Sequence, residues 1–134
     1  MTRYWCPLAW LGGERVESDV LVEAEDGAIV ALAAGQGSPP RDVRILEGLT
    51  LPGLANAHSH AFQRALRGRT HRASGSFWTW REQMYRVADR IDPDTYFALA
   101  RATFAEMALA GVTTVGEFHY LHNAAGGARY GDPN

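Results

Sequence analysis

Two histidines, His58 and His60, stand one residue apart directly after an apolar segment. Residues two apart on a β-strand point to the same side, so a strand over residues 50–60 would aim both imidazoles at one point. Convergent imidazoles make part of a zinc site, because a catalytic zinc takes about three protein ligands and keeps one position open for water. The alternative is an accidental pair with one ring satisfied in a core. The position at the end of an apolar strand, before a long loop, favours the metal site.

An arginine-rich loop follows the histidine pair. Arginine forks hold carboxylates through paired, charge-assisted hydrogen bonds, so a pocket for an acidic small molecule is one interpretation of this loop. A solvated basic loop is the other, and we favour it for Arg67, Arg69 and Arg72. Arg81 differs, because aromatic residues surround it in the predicted first turn of a helix, where a cation opposes the helix dipole and indicates a nearby anion. The loop contains the polar residues Gln63, Arg64, Arg67, Arg69, His71 and Arg72.

A third group of candidate residues, Glu117 to Tyr120, lies at the end of a second predicted strand. Alternation places Glu117 and His119 on one face and Phe118 and Tyr120 on the other. Tyr120 could offer a hydroxyl to a substrate, and His119 could support the metal or bind substrate. Packed aromatic rings with a hydrogen-bonded Glu117 are an equally good interpretation, so both stay open.

The first 50 residues carry β patterning and no evident chemistry. Strands over residues 19–25 and 28–33 flank Asp26-Gly27, which is a hairpin signal, and residues 43–46 predict a further short strand. We expect this β platform to have bare edges. The single cysteine, Cys6, excludes a disulfide within the chain and fits a small apolar position on an early strand.

From residue 50 onwards the pattern becomes alternating strand and helix. A capping box over residues 79–82 predicts one helix start, and Asp92 with Pro93 predicts another, which Gly111 ends. A β-branched strand follows over residues 112–118, so we expect a parallel strand pair with a right-handed crossover. The predicted apolar stripes are Trp80, Met84, Val87 and Ile91 on the first helix, and Tyr96, Phe97, Ala100, Phe104, Met107 and Ala108 on the second.

The dipeptide Asp132-Pro133 repeats the pair that opens the second helix. We therefore expect another crossover to begin there, and the chain to be the front portion of a larger α/β protein. By itself such a chain could also be a truncated, non-catalytic product, as half a metal site and bare edges would fit.

These residues together resemble the amidohydrolase superfamily and, within it, the N-formimidoyl-L-glutamate deiminases of histidine degradation. The resemblance implies a (β/α)8 TIM barrel beginning in residues 51–134, preceded by a small β-rich, sandwich-like accessory region in residues 1–50. It also implies one divalent metal, usually Zn²⁺, held by His58 and His60, and substrate contacts from Gln63, Arg81 and Tyr120. The segments that carry it are Pro52-Gly53, His58-Ser59-His60-Ala61-Phe62-Gln63-Arg64, Ser76-Phe77-Trp78-Thr79-Trp80-Arg81, Met84-Tyr85-Arg86 and Glu117-Phe118-His119-Tyr120.

The function that the resemblance implies is metal-dependent hydrolysis of a formimidoyl group with release of ammonia, on a small acidic substrate. A deaminase of the same superfamily acting on a ring amidine, of purine or pterin type, is the alternative. The remaining ligands, a His and an Asp, and the acid/base residues are expected from later strands, so no catalytic residue is assigned here and the 134 residues alone are expected to be inactive.

Charge and hydropathy indicate which classes of partner and which cellular compartment to expect. The net charge of -2 gives no reason to expect nucleic acid or an anionic membrane as a partner. No secretory signal or membrane span is evident, so we expect a cytoplasmic protein. The oligomeric state stays open, a homo-oligomer of the full-length protein included.

Overall fold

Antiparallel hairpins dominate the start of the chain in the computed structural model, which describes residues 1–69 and 76–131. The chain forms two compact units, Met1–Pro52 and Gly53–Asn134. His71 and Arg72 of the predicted basic loop, and the predicted helix start at Asp132-Pro133, lie outside the described residues.

The first unit is a five-stranded sheet in the order β3-β2-β1-β4, with β5 also pairing with β1. β1 and β2 are antiparallel from Thr2↔Ala24 to Trp10↔Val16, and β3 continues the meander. The predicted turn is confirmed, because Asp26 and Gly27 both have positive φ (51° and 79°), as a tight hairpin requires. The strands are β1 Thr2–Trp10, β2 Val16–Glu25, β3 Ala28–Ala33, β4 Arg44–Ile45 and β5 Leu49–Thr50.

The core of the first unit combines Trp5, which is 3% exposed, with smaller side chains. Cys6 and Val20 are fully buried and Ala9 is nearly so. The interpretation of Cys6 as a small apolar strand residue is therefore confirmed.

The second unit is a β-α-α-β arrangement, so the chain is an α/β structure with an all-β first unit. The predicted parallel pairing is confirmed between β6 (Leu54–Ser59) and β7 (Val112–Glu117). Between these strands come a 3₁₀ helix at Ala61–Leu66, α1 at Phe77–Ala88 and α2 at Pro93–Leu109. A short 3₁₀ turn at Ala125–Gly127 follows β7.

The strand predicted over residues 50–60 is not continuous. Thr50 belongs to β5 and pairs with β1, whereas β6 starts at Leu54 and ends at Ser59. Pro52 separates them, because proline has no N–H to donate to a ladder. His60 consequently lies outside the strand, as the residue that caps the 3₁₀ helix.

The first helix begins before the predicted capping box. Ser76 caps α1 in extended conformation, and its carbonyl accepts from the Thr79 hydroxyl at 2.8 Å and from the Trp80 N–H at 3.2 Å. Glu82 instead faces Arg86 one turn later, at 3.7 Å. α1 ends at Ala88, so Ile91 of the predicted stripe lies beyond it.

The second helix begins as predicted. Asp92 accepts from the Thr95 N–H at 2.8 Å, the Thr95 hydroxyl accepts from the Asp92 N–H at 2.9 Å, and Pro93 takes the first helical position. Gly111 has φ of 84° directly after the end of the helix.

The predicted stripe of α2 is confirmed at Tyr96, Ala100, Phe104 and Met107, and differs at its edges. Phe97 is 68% exposed and Ala108 is also exposed, while Leu99 and Thr103 face inward instead. The inward side of α2 comprises Tyr96, Leu99, Ala100, Thr103, Phe104 and Met107. None of the helices in residues 1–69 and 76–131 combines the length and the apolar character that crossing a membrane requires.

Candidate functional site

The carboxyl ends of β6 and β7 bring two chain segments side by side. Ser59 is the register partner of Glu117, and the Phe118 N–H donates to the Ser59 carbonyl at 2.9 Å. The register is irregular between Asn56 and Ser59, so the ladder is interrupted where the histidine pair begins. Residues 58–60 therefore lie next to residues 117–120.

The imidazoles of His58 and His60 converge. Their Nε2 atoms are 2.9 Å apart, and the ring planes meet at 78°. The His58 backbone N–H donates to Asn56 Oδ1 at 3.2 Å, which helps to fix the chain at the irregular point of the strand. His58 is exposed and His60 is half-buried.

His60 is oriented by a backbone carbonyl. Its Nδ1 lies 3.1 Å from the Phe118 oxygen. A carbonyl can only accept, so Nδ1 carries the proton and the Nε2 of the neutral ring keeps its lone pair. Metal-binding histidines typically have this arrangement, in which the second ring nitrogen donates to a carbonyl or carboxylate.

The pair fits a divalent metal by donor type and spacing. Two nitrogens about 2.0–2.1 Å from one tetrahedral zinc lie about 3.3 Å apart, so the rings need to separate by only a few tenths of an ångström. Throughout residues 1–69 and 76–131 no group of three or more His, Cys, Asp and Glu side chains is arranged to hold a metal ion. The described part of the chain thus offers a two-nitrogen portion of a metal site.

Aromatic rings surround the imidazoles on one side. The Tyr120 ring lies 4.8 Å from the His60 ring and 5.7 Å from Phe62, and Phe118 lies 4.9 Å from Tyr120, all centroid to centroid. An open cavity of about 340 Å³ adjoins His58, His60 and Tyr120, which is within the size range of small-molecule sites. Of the predicted site residues, the structure brings these three together.

Glu117 joins the two strand ends by a side-chain contact. Its Oε1 accepts from the Ala61 N–H at 2.6 Å, while Oε2 is buried without a hydrogen-bond partner. Burial raises the pKa of the Tyr96 hydroxyl on α2, and the negative charge of Glu117 raises it further. The Tyr96 hydroxyl oxygen lies 3.0 Å from His119 Nδ1. Both interpretations of the segment therefore stay open: the aromatic packing is present, and so is a set of polar groups beside the imidazoles.

A backbone hydrogen bond connects Gln63 to His60 of the histidine pair. Gln63 belongs to the 3₁₀ helix, and its N–H donates to the His60 carbonyl at 3.0 Å. Its side chain is half-buried. The structure thus places Gln63 one turn after His60, on the segment that Glu117 holds.

Arg81 has the predicted aromatic neighbours but lies in a different turn of the helix from the predicted one. Because α1 begins at Phe77, Arg81 is in the second turn, so the argument from the helix dipole no longer applies. Its guanidinium donates to the Tyr85 hydroxyl at 3.2 Å and lies over the Trp78 and Tyr85 rings, 5.7 Å and 5.3 Å from their centroids. These contacts are all within α1, and the structure does not bring Arg81 into contact with the imidazoles.

Some contributors to the site are invisible in the sequence. The Phe118 carbonyl and the Ala61 N–H are backbone groups, so the residue types at these positions do not indicate their role. Arg64 pairs with Glu106 of α2, and Arg67 lies 3.8 Å from the same carboxylate, so the 3₁₀ helix is also attached to α2. Charge spacing alone could not predict that pairing, since 42 residues separate Arg64 from Glu106.

Comparison with known proteins identifies the family of the chain. The Amidohydrolase family profile matches residues 49–130. The chain is 48% identical over 91 residues to formimidoylglutamate deiminase of Pseudomonas aeruginosa, covering 66% of this chain and 20% of that protein. It is 30% identical over 128 residues to 8-oxoguanine deaminase of the same organism, covering 90% of this chain and 28% of the relative.

Solved structures show the same fold. A crystal structure of an amidohydrolase from Brucella melitensis superposes with a TM-score of 0.86 at 32% identity, over 98% of this chain and 29% of that one. The fold also matches atrazine chlorohydrolase from Arthrobacter aurescens TC1 complexed with zinc, with a TM-score of 0.67 at 22% identity, over 86% and 28% of the two chains. The chain thus spans between a fifth and three-tenths of the proteins it matches. By the extent of the profile match, the chain belongs to the Amidohydrolase family.

Proposed function

We propose that this chain is part of a metal-dependent hydrolase that converts N-formimidoyl-L-glutamate to N-formyl-L-glutamate and ammonia, a step of histidine degradation. The observation that carries the proposal is the convergence of His58 and His60 Nε2 at 2.9 Å, in a chain 48% identical to a formimidoylglutamate deiminase. The parallel β6–β7 pair with intervening helices supports a (β/α)8 barrel, in which sites lie at the carboxyl ends of the strands. The other ligands and the acid/base residues would come from chain beyond these residues.

His58 and His60 are the residues that would hold the metal. When bound, a divalent metal supplies Lewis acidity and lowers the pKa of water to about 7, which suits hydrolysis at neutral pH. The Phe118 carbonyl keeps the His60 proton on Nδ1, and so keeps Nε2 available. Phe118, Tyr120 and Phe62 would exclude water from one side of the reacting group and leave the Tyr120 hydroxyl as a donor.

Arg81 and Gln63 are the proposed contacts for an acidic substrate. The Trp78 and Tyr85 rings hold the Arg81 guanidinium, which reduces the side-chain freedom lost when it grips a carboxylate. A substrate with a formimidoyl group and carboxylates would place the carboxylates toward Arg81 and the formimidoyl carbon at the imidazoles. The Gln63 amide can donate hydrogen bonds to, and accept them from, the substrate's polar groups between its formimidoyl carbon and its carboxylates.

The test is ammonia release by the complete polypeptide encoded by the gene, with N-formimidoyl-L-glutamate as substrate. Arg81→Met should raise KM by about 10- to 100-fold, because a hydrogen bond to a charged group contributes about 1.5–3 kcal/mol. Arg86→Met is the matched control, since Arg86 is an exposed arginine of α1 that faces Glu82. Absence of turnover with this substrate, in a metal-loaded protein that deaminates a purine or pterin, would overturn the proposal.

A ring-amidine deaminase is the second candidate. It is favoured by the 8-oxoguanine deaminase likeness, which extends over 90% of the chain. The Phe118 and Tyr120 rings beside His60 could also stack on a planar base. In that case 8-oxoguanine or a related base would be turned over, and Arg81→Met would leave KM unchanged.

A further inference from the structure

The backbone at His60 departs from the strand. β6 ends at Ser59, and His60 has φ of −138° and ψ of 86° as the chain enters the 3₁₀ helix. Sheet pairing therefore does not fix the orientation of this residue. Whatever sets the direction of its ring must act from outside β6.

Contacts from the end of β7 fix the residues on both sides of His60. Before it, the Ser59 carbonyl accepts from the Phe118 N–H at 2.9 Å. After it, the Ala61 N–H donates to Glu117 Oε1 at 2.6 Å. Ser59 and Ala61 are buried at 5% and 1% exposure, so water cannot readily replace these partners.

The contact of the Glu117 side chain with the Ala61 N–H depends on residue type, whereas the contact of the Phe118 backbone with Ser59 does not. The Phe118 N–H and carbonyl are present whatever residue occupies position 118. The Ala61 N–H, by contrast, depends on a side chain of the right length at position 117. Without that acceptor a buried donor would be left unpaired, and the segment after His60 would move to satisfy it.

We propose that Glu117 is a positioning residue for the metal site: by accepting the Ala61 N–H, it holds the backbone of His60 where the Phe118 carbonyl can direct the His60 ring towards the His58 ring. The proposal rests on the proposed function insofar as the pair holds a divalent metal. What the role requires of Glu117 is an oxygen at the correct distance from Ala61, and the negative charge is secondary. Glu117 acts through His60 and makes no contact with substrate in this role.

Two substitutions separate oxygen position from charge. Glu117→Gln keeps the acceptor and loses the charge, whereas Glu117→Asp keeps the charge and withdraws the oxygen by one methylene. Glu82→Asp is the matched control, because Glu82 is an exposed glutamate of α1 that faces Arg86. All are compared in the complete polypeptide, with zinc affinity from chelator competition, the visible spectrum of the cobalt-substituted protein, and hydrogen exchange at the Ala61 amide without metal.

For Glu117→Asp we expect zinc affinity to fall by about 10- to 100-fold, the usual range for loss of a partner that orients a ligand. Its cobalt spectrum should change and Ala61 exchange should be faster, while Glu117→Gln and Glu82→Asp stay close to wild type. Wild-type zinc affinity and an unchanged spectrum in Glu117→Asp would overturn the inference. So would a loss in Glu117→Gln that Glu117→Asp does not share, because charge would then be the requirement.

The same measurements keep the two proposals apart. If the wild-type protein binds no divalent metal, the proposed function fails, and exchange at Ala61 still reports whether Glu117 holds the segment. If the wild type binds zinc and Glu117→Asp binds it equally, only the positioning role fails.

Discussion

The two units of the chain use buried residues for different purposes. In the first unit Cys6, Ala9 and Val20 are buried within an antiparallel ladder, where repeated backbone hydrogen bonds hold the strands in register. In the second unit Ala61 and Phe62 are buried just after a parallel ladder has ended. Side chains from other elements fix that segment, so its geometry depends on particular residues. The first unit thus depends on a regular ladder, whereas the candidate site lies at the segment that follows a ladder in the second unit.

Removing an imidazole of the second unit should have the largest effect on metal binding and activity. We expect His58→Ala and His60→Ala each to lose the metal and to lower activity by roughly 10³-fold, since a metal supplies several kcal/mol and about 1.4 kcal/mol is tenfold. Metal analysis and steady-state kinetics on the complete polypeptide measure this. His122→Ala is the control, because His122 is exposed and its ring packs against His119 instead of the histidine pair. A metal-loaded His60→Ala protein with normal activity would contradict the account.

Core truncations should separate stability from site geometry. Phe62→Ala, at a side chain 2% exposed, should lower the free energy of unfolding by about 3–5 kcal/mol and also weaken metal binding, because Phe62 supports Tyr120 and the 3₁₀ helix. Val20→Ala in the first unit should cost about 2 kcal/mol and leave metal affinity unchanged. Chemical denaturation and zinc titration measure the two quantities. Equal effects of both variants on metal affinity would refute the division of roles.

Two glycines test how closely β6 and β7 approach. A Cβ at Gly53 would overlap the Thr113 side chain including its Cβ, so Gly53→Ala should cost about 1–3 kcal/mol, as overpacking does. A Cβ at Gly116 would lie 3.3 Å from the Ala57 carbonyl oxygen, which a shift of a few tenths of an ångström relieves. Gly116→Ala should therefore be the milder change in thermal unfolding. The reverse order would show that the start of the strand pair is looser than the structure indicates.

The helix cap should give the smallest effect. Hydrogen bonds from Thr95 lower the pKa of Asp92 below its usual value of 3.8. A carboxyl with a lowered folded-state pKa contributes stability above its unfolded-state pKa and loses it as pH falls through the folded-state pKa. The difference in melting temperature between wild type and Asp92→Asn should thus shrink below about pH 4, as the unfolded-state pKa of an aspartate is about 3.9. A difference that grows with acidification would contradict this.

Local patterns predicted the elements whose boundaries are set by residue chemistry. Asp26-Gly27 marks a turn with positive φ, and Asp92-Pro93 marks a helix start, because these residue types satisfy those conformations wherever they occur. Such features depend on neighbours in the sequence. The histidine spacing also predicted convergent rings, and the rings converge, although His60 lies beyond the strand and the Phe118 carbonyl orients it.

Features that depend on distant partners were predicted less well. The inward turn of Thr103 depends on packing, which competes with local apolar signals. α1 starts at Phe77, with Ser76 rather than Thr79 at its cap position. The Glu117–Ala61 bond joins residues 56 positions apart, and one partner is a backbone N–H. The first-turn position predicted for Arg81 was wrong because α1 starts two residues before Thr79, whereas the predicted aromatic surroundings of Arg81 are present.

Anomalous diffraction from crystals of the zinc-loaded complete polypeptide tests the central claim most directly. The account predicts a single peak about 2.0–2.1 Å from both His58 Nε2 and His60 Nε2, with His60 Nδ1 still donating to the Phe118 carbonyl. Density for zinc elsewhere, or either imidazole turned away from the ion, would contradict it.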